Sequence, residues 1–101
     1  MIRHVFVWRV AEGYDNDKVL ELLDRLSSSS EFNIASWSMG KHVGEPNENG
    51  DPWDGALITD FRSWEDLEQY STAPFHMEVV EQLLPMVSAR AVVDFELGDA
   101  A

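Results

Sequence analysis

The sequence of 101 residues contains no cysteine, which excludes disulfide bonds, thiolate metal sites and a cysteine nucleophile. Basic residues are scarce, since seven lysines and arginines face nineteen acidic residues and the formal net charge is −12. Because this field repels phosphate, we do not expect the chain to bind nucleic acid. No run of about 18 apolar residues predicts a membrane-spanning helix. The start of the chain lacks the basic-then-apolar layout of a secretory signal, so we expect a cytoplasmic protein.

The composition that remains is typical of a globular protein. Apolar residues make up 45% of the chain, and four Trp, two Tyr and five Phe provide aromatic side chains for a core. A disordered chain carries far fewer of both. Folding at this length buries roughly 60–70% of the surface of the unfolded chain, which is enough for one modest core. We therefore predict a single domain over residues 1–101.

Alternating and helical patterns follow one another along the chain. Strands are predicted at residues 2–10, 33–43, 54–61 and 91–97, and a helix at 16–27. A second helix follows Ser63, Pro74 interrupts it, and Pro85 ends it. Gly40, inside the second strand, predicts a β-bulge or a close backbone approach. The order β-α-β-β-α-β is that of a ferredoxin-like α+β fold, with the second helix split at Pro74.

Such a fold places its helices on one face of the sheet and leaves the other face uncovered. Alternation predicts that the uncovered face is apolar; its members would be Val5, Val7, Val93, Phe95 and Leu97. An exposed apolar sheet face is a partner surface. We therefore predict a two-fold homodimer in which the two sheets pack face to face.

Nothing in the sequence predicts a metal site or a cofactor. The three histidines, His4, His42 and His76, lie on different predicted elements, without HxH or HExxH spacing. The glycines form neither a GxGxxG motif nor a P-loop. An acidic loop at residues 45–54 lacks the spacing of a calcium loop and reads as a solvated segment, with weak metal binding left open.

Two side chains near Pro74 are candidates for acid/base chemistry. His76 shares a helical stripe with Val79 and Leu83 and should face inward, where a neutral imidazole can take or give a proton near pH 7. Tyr70 could donate its phenolic proton to a carbonyl or enolate oxygen. Core packing is the alternative explanation for each of the two residues, with His76 hydrogen-bonded in the interior.

A pocket is predicted beneath His76 if the first strand faces the helices. Its predicted substrate-binding residues are His4, Phe6, Trp8, Val79 and Asp94. A carboxylate buried alone in an apolar site is costly, so Asp94 either orients a histidine, pairs with an arginine or is exposed near the end of its strand. Trp8 and Trp53 are candidate walls for an aromatic ligand.

Several segments together resemble the stress-responsive dimeric alpha/beta-barrel (Dabb) domain family. They lie at residues 2–6, 53–61, 74–76 and 84–95, and the resemblance extends in order and spacing over residues 2–97. It implies a ferredoxin-like protomer and a homodimeric barrel, in agreement with the uncovered sheet face. Family membership alone implies little about chemistry.

One branch of that family, the plant polyketide cyclases that close olivetolic-acid-type rings, uses a tyrosine and a histidine as an acid/base pair. Tyr70 and His76 resemble that pair at the same six-residue separation, and His4 and Asp94 resemble pocket residues of the same branch. Those cyclases carry a further histidine early in the third strand, where this chain has residues 54–56, Asp-Gly-Ala. The substrate therefore need not be a polyketide.

Two classes of function follow from these patterns. The first is a cofactor-independent acid/base enzyme acting next to a carbonyl, of cyclase, isomerase or lyase type, with His76 as base and Tyr70 as donor. Its ligand would be a small aromatic or carbonyl-containing molecule. The alternative is a non-catalytic homodimeric stress-response or ligand-binding protein. The small monooxygenases that oxidise aromatic polyketides without a metal resemble the chain in topology only.

Overall fold

The strands and helices of the chain follow the predicted order. The computed structural model describes residues 1–98. The elements are β1 (Ile2–Val10), α1 (Asn16–Ser27), β2 (Ile34–Lys41), β3 (Gly55–Phe61), α2 (Trp64–Thr72), α3 (Pro74–Leu83), a 3-10 turn (Leu84–Met86) and β4 (Val87–Glu96). All neighbouring strands pair antiparallel, in the order β2-β3-β1-β4. This confirms the ferredoxin-like α+β prediction. No helix among residues 1–98 is sufficiently long and apolar to cross a bilayer.

The ends of the helices have local causes in the sequence. The Asp15 side chain accepts a hydrogen bond from the backbone N–H of Asp17 and caps α1. Ser63 caps α2 in the same way, through the N–H of Asp66. Ala73 then adopts an extended conformation with ψ of 140°, because the residue before a proline is driven out of the helical region. The predicted split of the second helix therefore lies between α2 and α3.

The register of β1 separates the two faces of the sheet. His4 lies between Thr59 of β3 and Asp94 of β4, and its neighbour Val5 lies between Ile58 and Val93. Side chains alternate along a strand, so His4, Phe6 and Trp8 point to one face and Val5 and Val7 to the other. The first face packs against the helices, and its core includes Trp8, Val19, Leu23, Leu26, Leu57, Phe61, Tyr70, Val79 and Leu83.

Trp8 and Gly55 form the tightest packing between β1 and β3. Trp8 is fully buried, and its indole N–H donates to Oδ1 of Asn16 at 2.7 Å. Gly55 lies opposite Trp8 in the register, with the indole ring directly over its Cα hydrogens. A Cβ at residue 55 would lie 2.6 Å from Cη2 of that ring. The glycine is therefore required by a close approach rather than by a turn.

Two details of the sequence prediction are wrong. Gly40 pairs with Ala56 in regular register, and an added Cβ there would meet no atom within 4 Å. The register shifts in β2 and β1 lie elsewhere, at residues 34–36 and at 9–10, and the close approach is at Gly55. The last strand begins at Val87 rather than at residue 91, because Val87 extends the ladder to Val10.

In the part of the chain that the structure describes, the second face of the sheet carries no helix. Val93 and Phe95 on β4 are 54% and 42% exposed on this face, which we call the open face. Leu97, which was predicted to belong to it, lies one residue beyond β4. Near the start of β1 the open face also holds an ion pair, in which Arg3 donates twice to the carboxylate of Asp60 on β3. The face is thus mainly apolar, with one charged pair between its two central strands.

Candidate functional site

A cavity of about 270 Å³ lies between the sheet and the helices. Aliphatic side chains of α1 and α3, together with Phe6, Leu57 and Val92, form most of its wall. The remaining lining residues can hydrogen-bond through their side chains: His4, Tyr70, Ser71, His76 and Arg90. Ligand pockets are typically about 300–1,000 Å³ in volume, so this one suits a small molecule.

The break between α2 and α3 brings Tyr70 and His76 together. In a continuous helix two residues six apart would point about 120° away from each other. The extended conformation of Ala73 changes the direction of the chain between them. As a result their ring centroids are 4.7 Å apart, and the centroid of His4 is 6.2 Å from that of Tyr70. The three rings form one cluster at the cavity.

Tyr70 is held by other aromatic rings. Only 2% of the residue is exposed, and the rings of Phe32 and Phe61 lie 5.0 Å and 5.2 Å from its own. This burial raises the pKa of Tyr70 well above its ordinary value of 10.0. The phenol therefore stays protonated at neutral pH and can act as a hydrogen-bond donor.

His76 is shifted in the opposite direction, towards its neutral form. Burial lowers its pKa below the ordinary value of 6.5, the nearby His4 lowers it further, and the backbone of Ser71 acts weakly against both. Its Nδ1 is buried and has no hydrogen-bond partner within residues 1–98. At neutral pH the imidazole is therefore uncharged and able to accept a proton.

His4 is held in place by Asp94 across the β1–β4 ladder. Nδ1 of His4 donates to Oδ1 of Asp94 at 2.5 Å, and the two residues are directly opposite in register. Arg3, an alternative partner for Asp94, is bonded to Asp60 instead. The carboxylate on Nδ1 fixes the orientation of the ring and leaves Nε2 for a second hydrogen bond.

The structure brings most of the predicted site residues to one place. His4, Phe6, Tyr70, His76 and Val79 line the cavity, and Asp94 reaches it through its contact with His4.

Trp8 is not among the lining residues. Its ring stacks on that of Phe6, with centroids 5.8 Å apart, on the side away from the cavity, and it is bound to Asn16. It therefore supports the wall without forming it. Alternation assigned Trp8 correctly to the helix-covered face, but the cavity does not extend along that whole face.

Arg90 is a lining residue that the sequence reading treated only as a salt-bridge partner. It lies opposite Trp8 in the ladder and therefore on the helix-covered face, two residues before Val92. The predicted strand began at residue 91, so Arg90 was left outside the alternation. Extending the pattern back from Asp94 in steps of two would have found it.

A second recess, shallow and of about 460 Å³, lies at the β2 end of the open face. Lys41, His42 and Trp53 line it, and the Arg9 guanidinium lies 4.4 Å above the Trp53 ring. Its lining contains no tyrosine–histidine pair among residues 1–98.

Asp54, from the acidic loop, accepts a hydrogen bond from the backbone of Val10. Within residues 1–98 no three His, Asp or Glu side chains are grouped to hold a metal ion.

Comparison with known proteins places this geometry in context. The family model of the stress responsive A/B barrel domain matches residues 2–97. No curated protein sequence matches the chain significantly.

Solved structures share its fold. A hydroxynitrile lyase from Passiflora edulis is 17% identical, with 99% of this chain and 95% of that chain covered and a TM-score of 0.81. A dimeric ferredoxin-like protein of unknown function from Thermobifida fusca is 22% identical, with coverage of 95% and 90% and a TM-score of 0.77. An Arabidopsis thaliana protein is 20% identical, with coverage of 100% and 99% and a TM-score of 0.77.

Proposed function

The chain belongs to the stress responsive A/B barrel domain family, and from the geometry of its cavity we propose that it is a cofactor-independent acid/base enzyme acting next to a carbonyl group. One observation carries the proposal: Tyr70 and His76 converge on a single largely apolar cavity, with their rings 4.7 Å apart. Their surroundings favour a protonated phenol beside a neutral imidazole. That is the pairing that proton abstraction requires.

His76 is the base in this reaction. Its imidazole takes a proton from the carbon next to the substrate carbonyl, and the electron pair of that C–H bond moves into the new carbon–carbon double bond. The carbonyl π electrons move to oxygen, where the Tyr70 hydroxyl donates a hydrogen bond to the forming enolate. Each group contributes about 10²–10⁴ in rate. The enolate then attacks a second carbon, is reprotonated elsewhere or expels a leaving group.

The other residues of the cavity bind and orient the substrate. His4, held by Asp94, offers Nε2 for a hydrogen bond to the substrate. Phe6 and Val79 supply apolar walls. A cavity of about 270 Å³ favours a molecule of one ring over a long polyketide. A hydroxynitrile lyase has the same fold, which supports including lyase steps among the reactions proposed for this cavity.

We also propose that two copies of the chain pair through the open face. Val93 and Phe95 are half-exposed there although they are apolar, and Val5 and Val7 lie beside them on β1. A two-fold axis would cover both faces with one contact. The dimeric ferredoxin-like protein from Thermobifida fusca has the same fold. Packing through this face leaves the cavity, on the other side of the sheet, open to ligand.

Deuterium incorporation next to the carbonyl of single-ring ketones such as phenylacetone, followed by NMR in D2O, tests the catalytic proposal. We expect His76→Ala and Tyr70→Phe each to reduce the catalysed rate by about 10²-fold or more. The chain offers matched controls in His42→Ala and in Tyr14→Phe, whose side chains lie outside the cavity. Catalysed exchange that survives both site variants would refute the assignment. Ligand binding without turnover would instead favour the non-catalytic binding protein.

A further inference from the structure

We propose that the natural ligand of the cavity is a small carboxylate and that Arg90 binds its negative group. This inference rests on the proposed function, because it names the substrate class of the same site. A keto acid of one ring would place its carboxylate on the guanidinium and its carbonyl beside Tyr70 and His76.

The first argument is the charge of the cavity wall. Among residues 1–98, Arg90 is the one lysine or arginine that lines it, and no aspartate or glutamate does. The chain as a whole has a formal net charge of −12. The Asp94 carboxylate adjoins the cavity only through its bond to His4, so the lining is a local exception within a strongly acidic protein and favours an anionic ligand.

The second argument is that Arg90 has no acidic partner. Within residues 1–98 it forms no ion pair, in contrast to Arg3, Lys18 and Lys41; Arg9, Arg25 and Arg62 form none either, but they do not line the cavity. Asp94 lies on the same face of β4, four residues away, but its carboxylate is bonded to His4. Among the described residues the Arg90 guanidinium is thus free to pair with an anionic ligand, although the chain has nineteen acidic residues.

The third argument is position. Arg90 on β4 is exposed to solvent, whereas Tyr70 at the end of α2 is buried and His76 at the start of α3 is half-buried. A guanidinium holds a carboxylate through two parallel hydrogen bonds and so fixes its orientation as well as its position. A ligand anchored by its carboxylate at the edge would extend its reactive carbon inward to the tyrosine–histidine pair. Binding at Arg90 would therefore also select the geometry for reaction.

The test compares two probes of equal size, benzoate and benzamide, titrated into the isotope-labelled protein and followed by NMR at the cavity residues. We expect wild-type protein to bind benzoate about tenfold more tightly than benzamide, because only benzoate forms a charge-assisted pair. Arg90→Gln should remove that preference and leave benzamide binding unchanged. Arg62→Gln, which removes another arginine that forms no ion pair and lies outside the cavity, should preserve the preference.

Equal binding of the two probes to wild-type protein, or an undiminished preference in Arg90→Gln, would overturn the proposal. The proposal would also be overturned if neither probe shifted the NMR signals of the cavity residues. Failure of the proposed function looks different: benzoate would still depend on Arg90, while deuterium exchange would be unaffected by His76→Ala and Tyr70→Phe. If benzamide and benzoate bound in the cavity equally well, the cavity would still be a ligand site, but Arg90 would not be an anion site.

Discussion

Replacing Gly55 with alanine tests how closely the sheet packs beneath the cavity. The added methyl group would lie 2.6 Å from Cη2 and 2.8 Å from Cε2 of Trp8, and closer still to Cζ2. Carbon atoms in proteins pack at about 3.5–4.0 Å, so the indole ring must move. Trp8 is fully buried, stacks on Phe6 and donates to Asn16, so its ring has no free space to move into.

The expected cost combines overpacking with a strained hydrogen bond. Overpacking in a filled core costs about 1–3 kcal/mol, and weakening the indole bond to Asn16 costs about 0.5–1.5 kcal/mol. We expect Gly55→Ala to lower the free energy of unfolding by about 2–4 kcal/mol, a large part of the roughly 5–15 kcal/mol of an ordinary domain. A displaced Trp8 would also push Phe6 into the cavity and weaken benzoate binding.

Urea denaturation followed by circular dichroism measures the loss, with Gly40→Ala as the control. Gly40 lies in β2, and an added Cβ there meets no atom within 4 Å. Since glycine inside a strand costs about 0.5–1 kcal/mol relative to alanine, the control should be neutral or slightly more stable. Equal stability of the two variants would refute the argument that Trp8 requires a glycine opposite it.

Two further predictions concern pH and assembly. The pKa of His76 is lowered from 6.5, so just below pH 6.5 the unfolded chain binds more protons than the folded chain, and the free energy of unfolding should fall as the pH drops. His76→Asn should flatten this slope in urea midpoints measured between about pH 5 and 7, and an unchanged slope would contradict it. Val93→Asp should convert the proposed dimer to monomer in sedimentation velocity, whereas Val92→Asp, equally exposed on the other face, should not. Identical sedimentation of the two variants would argue against the open face as the interface.

Much of the fold could be predicted because its signals are local. The bounds of β1 and α1 were predicted to the residue, since one has a clear alternation and the other a cap and an apolar stripe. The start of β4 was missed because Ser88 and Ala89 carry little strand preference. Their pairing is imposed by β1, through the contact of Val87 with Val10. That information is not local to the segment.

The candidate site was predictable where alternation or helical spacing determined the facing of a side chain. His4, Phe6 and His76 were found in this way, and all three line the cavity. The extent of the cavity was not predictable, because it depends on where α3 crosses the sheet. The lining of the cavity excludes Trp8 and includes Arg90. The partner of Asp94 likewise required the β1–β4 register, which no single segment encodes.

The position of Tyr70 links folding to the choice of ligand. Its ring belongs to the aromatic core through Phe32 and Phe61, yet it also borders the cavity. If a new reaction requires another side chain at residue 70, that side chain must therefore also fit among the aromatic rings of the core. Arg90 is exposed to solvent, so a substitution there does not have to fit the core. Relatives that diverge in substrate should accordingly vary first at the rim, and exchange the phenol only together with the rings around it.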